Sequence, residues 1–325
     1  MRSPQHIVIF HPAAIGDSMM ATPVAMVLKN SFPDAKITYW SHSSLRPLVL
    51  DMCPYIDSFM DFKKENVFRL LSQLKATKCD LFIDLSASLR GGFLSALGAN
   101  KAFCMTKQKV GDIAFGHMVD NFLDTIRPIC PQLPEKFFPT LDVERIPESA
   151  LSPDVVQVVQ NNSNLIAIVP GVGKLRPNRA WPETNWAELI QNILASGKYL
   201  PVFIGGPEEV ELGLKLTNEF PTCINLCGKL SLAQTAYVLK YCKLVVSADT
   251  GPAHIATAVG TKVIGMYGPT QASRYGPYDC RADAIDASDQ CQCLYEKACK
   301  LNSGEASGEC MKSITTKVVL DKLQS

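Results

Sequence analysis

The chain has 325 residues, with 32 Lys plus Arg against 31 Asp plus Glu, and 12 cysteines. This length predicts two domains with ample cores, and a composition of 47% hydrophobic and 19% charged residues excludes the disordered and coiled-coil classes. Residues 1–150 carry 16 basic and 15 acidic side chains and residues 151–325 carry 16 of each, so neither half is built to bind nucleic acid.

No run approaches the roughly 18–20 apolar residues of a membrane-spanning helix. The first apolar run, Ile7 to Phe10, is too short for the core of a signal peptide. The expectation is a cytoplasmic chain whose cysteines are mainly small buried thiols. Short β-branched runs then alternate with helical periods, the pattern of βα units on parallel sheets. Strands are predicted at 6–10, 36–40, 80–84 and 101–105, with helices between the first two strands and at 68–75 and 89–98. Pro23 predicts an irregular start to the first helix. The stretch 128–153 holds six prolines and reads as a connection between domains.

A second series follows. Strands are predicted at 164–170, 200–206, 223–226, 244–251 and 262–268, and helices at 186–194, 209–220, 232–242 and 252–259. Two such series imply two Rossmann-like α/β domains, 1–150 and 151–312. A final helix within 313–325 is expected to pack back on the first domain. In sheets of this kind ligands bind beyond the carboxyl ends of the strands, so the strand-to-helix loops are where function is sought.

In the first loop, HPAAIGDS, Gly16 is expected to make a tight turn. Asp17 falls at the N-cap or in the first turn of the following helix, and reads either as a helix cap or as a general base at the sheet edge. The loop SADTGPAH ends a strand and opens a helix with Pro252 at its first position. Gly251 admits close backbone approach, Thr250 offers a hydroxyl, and the free amides of the helix start suit a diphosphate, with His254 in reach. PGVGKLRPNR, which starts at Pro170 and has Gly171 as its second residue, lacks the spacing of a P-loop, and no GxGxxG follows either first strand. What it offers is glycine beside Lys174, Arg176 and Arg179. Glu208 in IGGPEE reads as favourable charge at a helix start or as an acceptor for sugar hydroxyls.

The set GD, RAWP, GGPEE, SADTGPAH and YGPT, in that order, resembles glycosyltransferase family 9, the ADP-heptose:lipopolysaccharide heptosyltransferases. NSFPDAKITYW and DLSASLRGG extend the resemblance across the first half. It implies a GT-B fold, two Rossmann-like domains facing across a cleft, with the acceptor on the first and the nucleotide sugar on the second. It implies an inverting enzyme with no cofactor and no catalytic metal, transferring heptose from ADP-heptose to a lipopolysaccharide core. Asp17 would be the base. Arg179, Thr250, Gly251 and His254 would meet the leaving-group charge, Asp249 and Glu208 would hold the loop or ribose, and Gly171 and Pro252 would complete the donor site.

Arg90 and Ser86 would contact the acceptor. The sequence departs from the family where Arg179 replaces a commoner lysine, where HPAAIGD lacks a basic residue after the strand, and at Ser86 and Ser88. Partners implied are a nucleotide sugar and a glycolipid at the inner membrane surface, with no nucleic acid and no transmembrane segment. Another nucleotide sugar or acceptor (an O-chain or a protein), or a non-catalytic sugar-nucleotide binder, are the alternatives. From Leu85 to Gly111 there is no acidic residue while Arg90, Lys101, Lys107 and Lys109 are basic, either a solvated face or a patch for an anionic acceptor. Cys291, Cys293, Cys299 and Cys310 cluster near the end as free thiols, a structural metal site or disulfides.

Overall fold

The computed structural model describes residues 3–105, 116–133, 138–278, 283–301 and 307–324. Lys107 and Lys109 of the basic stretch lie outside them. The chain divides into two compact units, Met1–Ile146 and Pro147–Ser325.

In the first unit the order is β1 (His6–Phe10), α1 (Ile15–Ser31), β2 (Lys36–Ser41), β3 (Ser58–Asp61), α2 (Val67–Thr77), β4 (Leu81–Asp84), α3 (Leu89–Gly98), β5 (Ala102–Cys104) and α4 (Met118–Asp124). The five strands are parallel in the order β3-β2-β1-β4-β5. Both faces are covered, so β1 and β4 are almost wholly buried apolar runs, as parallel strands between helices must be. On one face Val8, Phe10, Trp40 and Phe82 pack with Leu70, Leu74 and Leu94 of α2 and α3. On the other, α1 packs beside α4 and buries Met20, Val24, Val27 and Leu28.

Two expectations for α1 are corrected. Gly16 is already helical, and the chain turns upstream of it, where the Ala13 amide donates to the His11 carbonyl (2.9 Å). The helix also runs straight through Pro23. Proline has no N–H to give the carbonyl four residues back, Met19, and the Thr22 hydroxyl donates to that carbonyl instead (2.7 Å).

The second unit contains α5 (Pro153–Gln160), β6 (Leu165–Val169), α6 (Glu183–Ser196), β7 (Leu200–Phe203), α7 (Val210–Glu219), β8 (Ile224–Asn225), α8 (Leu232–Tyr241), β9 (Leu244–Ala248) and α9 (Gly251–Ala258). It continues with β10 (Val263–Tyr267), α10 (Ala272–Tyr275), β11 (Ala284–Asp286), α11 (Glu309–Lys312) and α12 (Thr316–Gln324). Its sheet is again parallel, β11-β10-β9-β6-β7-β8. Each sheet therefore has one point where the strand order reverses beside its first strand: β1/β4 in the first unit, β6/β9 in the second. The loops leaving those four strands carry nearly every candidate residue.

The final helix packs within the second unit. Val319 is fully buried, and with Leu320 and Leu323 it joins the second unit's core against α6 and β10. Trp181 and Trp186 meet edge to face in the same core, at 4.9 Å. The Trp181 indole donates to the Ile314 carbonyl (2.8 Å), tying the entry of α12 to the loop after β6.

Candidate active site

Asp249 follows β9 at the second unit's reversal point and is only 4% exposed. Its Oδ2 faces Nη1 of Arg179 at 3.0 Å and accepts from the Thr270 hydroxyl at 2.8 Å, while its Oδ1 lies 3.2 Å from Nε2 of His254. Arg179 Nη1 also donates to the Asp249 carbonyl (3.1 Å). Burial by itself pushes the Asp249 carboxyl up, but the hydrogen bond from His254, the Arg179 charge and Thr270 together outweigh it and hold the group below the usual carboxylate range. Facing an ionised oxygen, His254 Nε2 carries the hydrogen. One carboxylate thus gathers a guanidinium from the loop after β6, an imidazole from α9 and a hydroxyl from the loop after β10.

These groups surround the start of α9. Thr250 caps it in extended conformation and shares a hydrogen bond with Ser247 (2.8 Å). The helix begins at Gly251, so Pro252 is its second residue, one later than expected, still where a missing N–H costs nothing. Gly251 and Ala253 leave their amides at the mouth of the helix, with its partial positive charge. Arg179 Nε is buried with no acceptor among the described residues. The assembly brings several hydrogen-bond donors together at one helix start, one of them buried and spare.

The neighbouring loops are held by a residue that sequence reasoning missed. Glu209 joins Glu208 in the closure: its Oε1 accepts from the Gly173 amide (2.9 Å) and its Oε2 from the Gly206 amide (2.8 Å). Gly171 is glycine for the same reason, since a Cβ there would strike the Glu209 side chain. Gly173 has a positive φ of 67°, which lets the loop present its amide to that carboxylate. Glu208 is exposed, and its carboxylate accepts from the Lys174 amide (2.7 Å).

A second fastening comes from the cysteine-rich segment. Nη1 of Arg176 donates to the carbonyls of Tyr295 (3.0 Å) and Glu296 (3.3 Å), and the Asn178 side-chain amide donates to Glu296 (3.1 Å). The Tyr295 amide donates to Pro269 (2.7 Å) and its hydroxyl to Gln271 (2.6 Å). This strap binds the loop carrying Arg179 to the loop carrying Thr270. Tyr295 takes a positive φ of 63° to make these bonds.

All eleven described cysteines are thiols. Cys310 is buried and hydrogen-bonded to Cys291, and burial, then Cys291, pushes its thiol up to about 12. Among the described residues no three metal-binding side chains gather.

In the first unit, Ala14 is the residue before α1, so Asp17 occupies the third helical position, half-buried in the first turn, one of the two places expected for it. Behind it, His11 Nδ1 and the Tyr39 hydroxyl share a hydrogen bond of 2.8 Å. Burial drives the Tyr39 phenol far up, with the Asp17 charge adding to it, and lowers the His11 pKa to about 3. His11 is therefore a neutral core residue and supplies no cation after β1. At the end of β4, Ser86 donates its amide (2.9 Å) and hydroxyl (2.6 Å) to Asp84, and its Oγ shares a bond with Ser88, which caps α3. Asp84 is buried, which raises its carboxyl. Gly91 is required above it, because a Cβ would overlap the carboxylate. Arg90 lies half-buried with its guanidinium 5.8 Å from the Phe62 ring centre.

Two α/β units with their candidate residues at the reversal points define the GT-B class. Solved structures with the same fold include E. coli ADP-heptose LPS heptosyltransferase II, with a TM-score of 0.74 and 21% identity over 98% of this chain and 97% of that one. E. coli heptosyltransferase WaaC with ADP gives a TM-score of 0.69 and 18% identity, covering 98% and 99%. The family model of glycosyltransferase family 9 (heptosyltransferase) matches residues 67–303, and the chain belongs to that family of glycosyltransferases. Lipooligosaccharide heptosyltransferase 2 of Haemophilus influenzae is 24% identical over 98% of both chains. No helix among the described residues is long and apolar enough to cross a membrane.

Proposed function

We propose that this glycosyltransferase moves heptose from ADP-heptose to a lipopolysaccharide core acceptor, with inversion and without a catalytic metal. The observation that carries the donor half is the Asp249 cluster: a single buried carboxylate presents Arg179 and His254 beside the open amides of α9. As the glycosidic bond to the diphosphate breaks, negative charge grows on the leaving oxygens. Arg179, Thr250, the Gly251 amide and His254 are the donors that would meet it, already oriented and needing little reorganisation. Glu209 and Glu208 fix the loops beside this site, and the ribose hydroxyls would fall to that edge.

The sugar and acceptor are supported by relatives named as lipopolysaccharide and lipooligosaccharide heptosyltransferases. In the first unit Asp17 is the base, taking the proton of the acceptor hydroxyl as it attacks the anomeric carbon through an oxocarbenium-like transition state. Ser86 and Arg90 line the neighbouring loop as acceptor contacts. Calorimetry with ADP and a transfer assay on truncated lipopolysaccharide separate the two halves. Asp17→Asn is expected to bind ADP as the parent does and to lose about 100-fold or more in kcat. Transfer that survives this change removes the base assignment, and undetectable ADP binding by the parent removes the donor site.

A further inference from the structure

The surface of the first unit opposite the α1–α4 layer carries apolar side chains that the core does not use. Leu89 is 96% exposed, Leu97 is 53% exposed and Phe68 is 67% exposed. Leu89, Phe93 and Leu97 recur every fourth residue of α3 and so form one stripe along the helix. Phe68 of α2 meets Phe93 edge to face, with ring centres 5.9 Å apart, which joins the two helices into one apolar surface. Single exposed leucines are ordinary on a protein surface, but a continuous row of this length is a feature of contact faces.

The charge around the row is predominantly basic. Residues 66–79 and 85–105 contain Arg69, Lys75, Lys78, Arg90 and Lys101 and no acidic residue; Glu65, just before α2, pairs with Arg69 at 3.6 Å and leaves a net excess of cations. Against a molecule whose formal net charge is +1, that is a local departure. An apolar row flanked by cations matches a surface that is apolar below and anionic above. The row begins at Leu89, one residue before Arg90 and three after Ser86, at the same loop as the acceptor candidates.

We propose that the α2–α3 face is a membrane-docking surface that seats this protein on an anionic lipid bilayer. Leu89, Phe93, Leu97 and Phe68 enter the boundary between headgroups and acyl chains, and the basic residues meet the lipid phosphates. Its purpose rests on the glycolipid acceptor proposed above, although its readout requires no transfer. Neither signal alone holds a protein firmly: a few apolar side chains give weak partition, and a few lysines are screened by salt.

The test is co-sedimentation of the full chain with vesicles of phosphatidylcholine alone or with about 30% phosphatidylglycerol. The parent is expected to partition onto the anionic vesicles at least about tenfold better than onto neutral ones, less so as salt rises. The double variant Leu89→Ser/Leu97→Ser is expected to lower that partition by about tenfold or more, because both side chains lose their apolar contact. Since both are exposed, its melting temperature and its ADP affinity should match the parent, which separates a failure here from a failure of the donor site. Equal partition of variant and parent overturns the proposal. So does light scattering that shows a dimer which the variant dissolves, since the face would then cover a second copy.

Discussion

At the scale of single residues, the second unit turns on Asp249. Its two oxygens receive three side chains, and its charge is the counter-charge of the Arg179 guanidinium, whose side chain is 20% exposed. Asp249→Asn keeps the shape but leaves that cation partly buried and unpaired, so urea titration should show a loss of about 3–5 kcal/mol. Adding Arg179→Met to Asp249→Asn should recover part of the loss, because the unpaired charge is gone.

His11 in the first unit makes a different statement. Its pKa is lowered to about 3 in the fold and returns to about 6.5 on unfolding, so the unfolded chain binds the extra proton between these values. Stability supplied by the neutral imidazole is full above about pH 6.5 and declines as the pH falls, by about 1.4 kcal/mol per unit toward pH 3. Denaturant titrations from pH 7 to 4.5 should show this slope, and His11→Gln should flatten it.

At the scale of elements, the strap from Tyr295 to Glu296 joins the loops after β6 and β10. Arg176→Ala removes the donor that holds both strap carbonyls and leaves every residue of the Asp249 cluster in place. ADP affinity by calorimetry should fall about tenfold through the loosened Arg179 loop, with the far-ultraviolet spectrum unchanged.

The strap also shows where legibility ends. β1, β2, β4, α3 and the inner strands β6, β7, β9 and β10 of the second sheet are readable, because buried parallel strands are largely apolar runs and α3 sits between a capping Ser88 and Gly98. The edge strands β3 and β11 are half-buried, three or four residues long, and carry no such run. The fingerprint DTGPAH marks Asp249, Thr250 and His254 because they are neighbours on one turn. Glu209 and Glu208 are adjacent carboxylates that differ only in which way the turn points them. Arg176 and Tyr295 are 119 residues apart, a pairing that no local pattern encodes.

At the scale of the whole molecule, the same sheet order appears twice, and each unit closes its own core. α12 belongs to the second of these cores through Val319. Val319→Ser places a hydroxyl and a small void there, with an expected cost of about 2–4 kcal/mol. Hydrogen exchange should quicken in α6, α12 and β10 and stay unchanged in the first unit's sheet, because the damage lies within one core. Faster exchange in β1 and β2 as well would mean that the two units unfold together.

The pairing of Trp181 with Trp186 has an optical consequence. The protein has three tryptophans, and the remaining one, Trp40, is buried in the first unit's sheet. Two of the three indoles therefore sit edge to face in a single contact, and one of them, Trp181, lies two residues downstream of Arg179. At 4.9 Å the two rings are close enough for their excited states to interact, and their emission is expected to respond to changes in the loop that carries Arg179. If the proposed donor site binds nucleotide, this indole pair is a built-in fluorophore beside it, and titration with ADP is expected to change the tryptophan emission without a label.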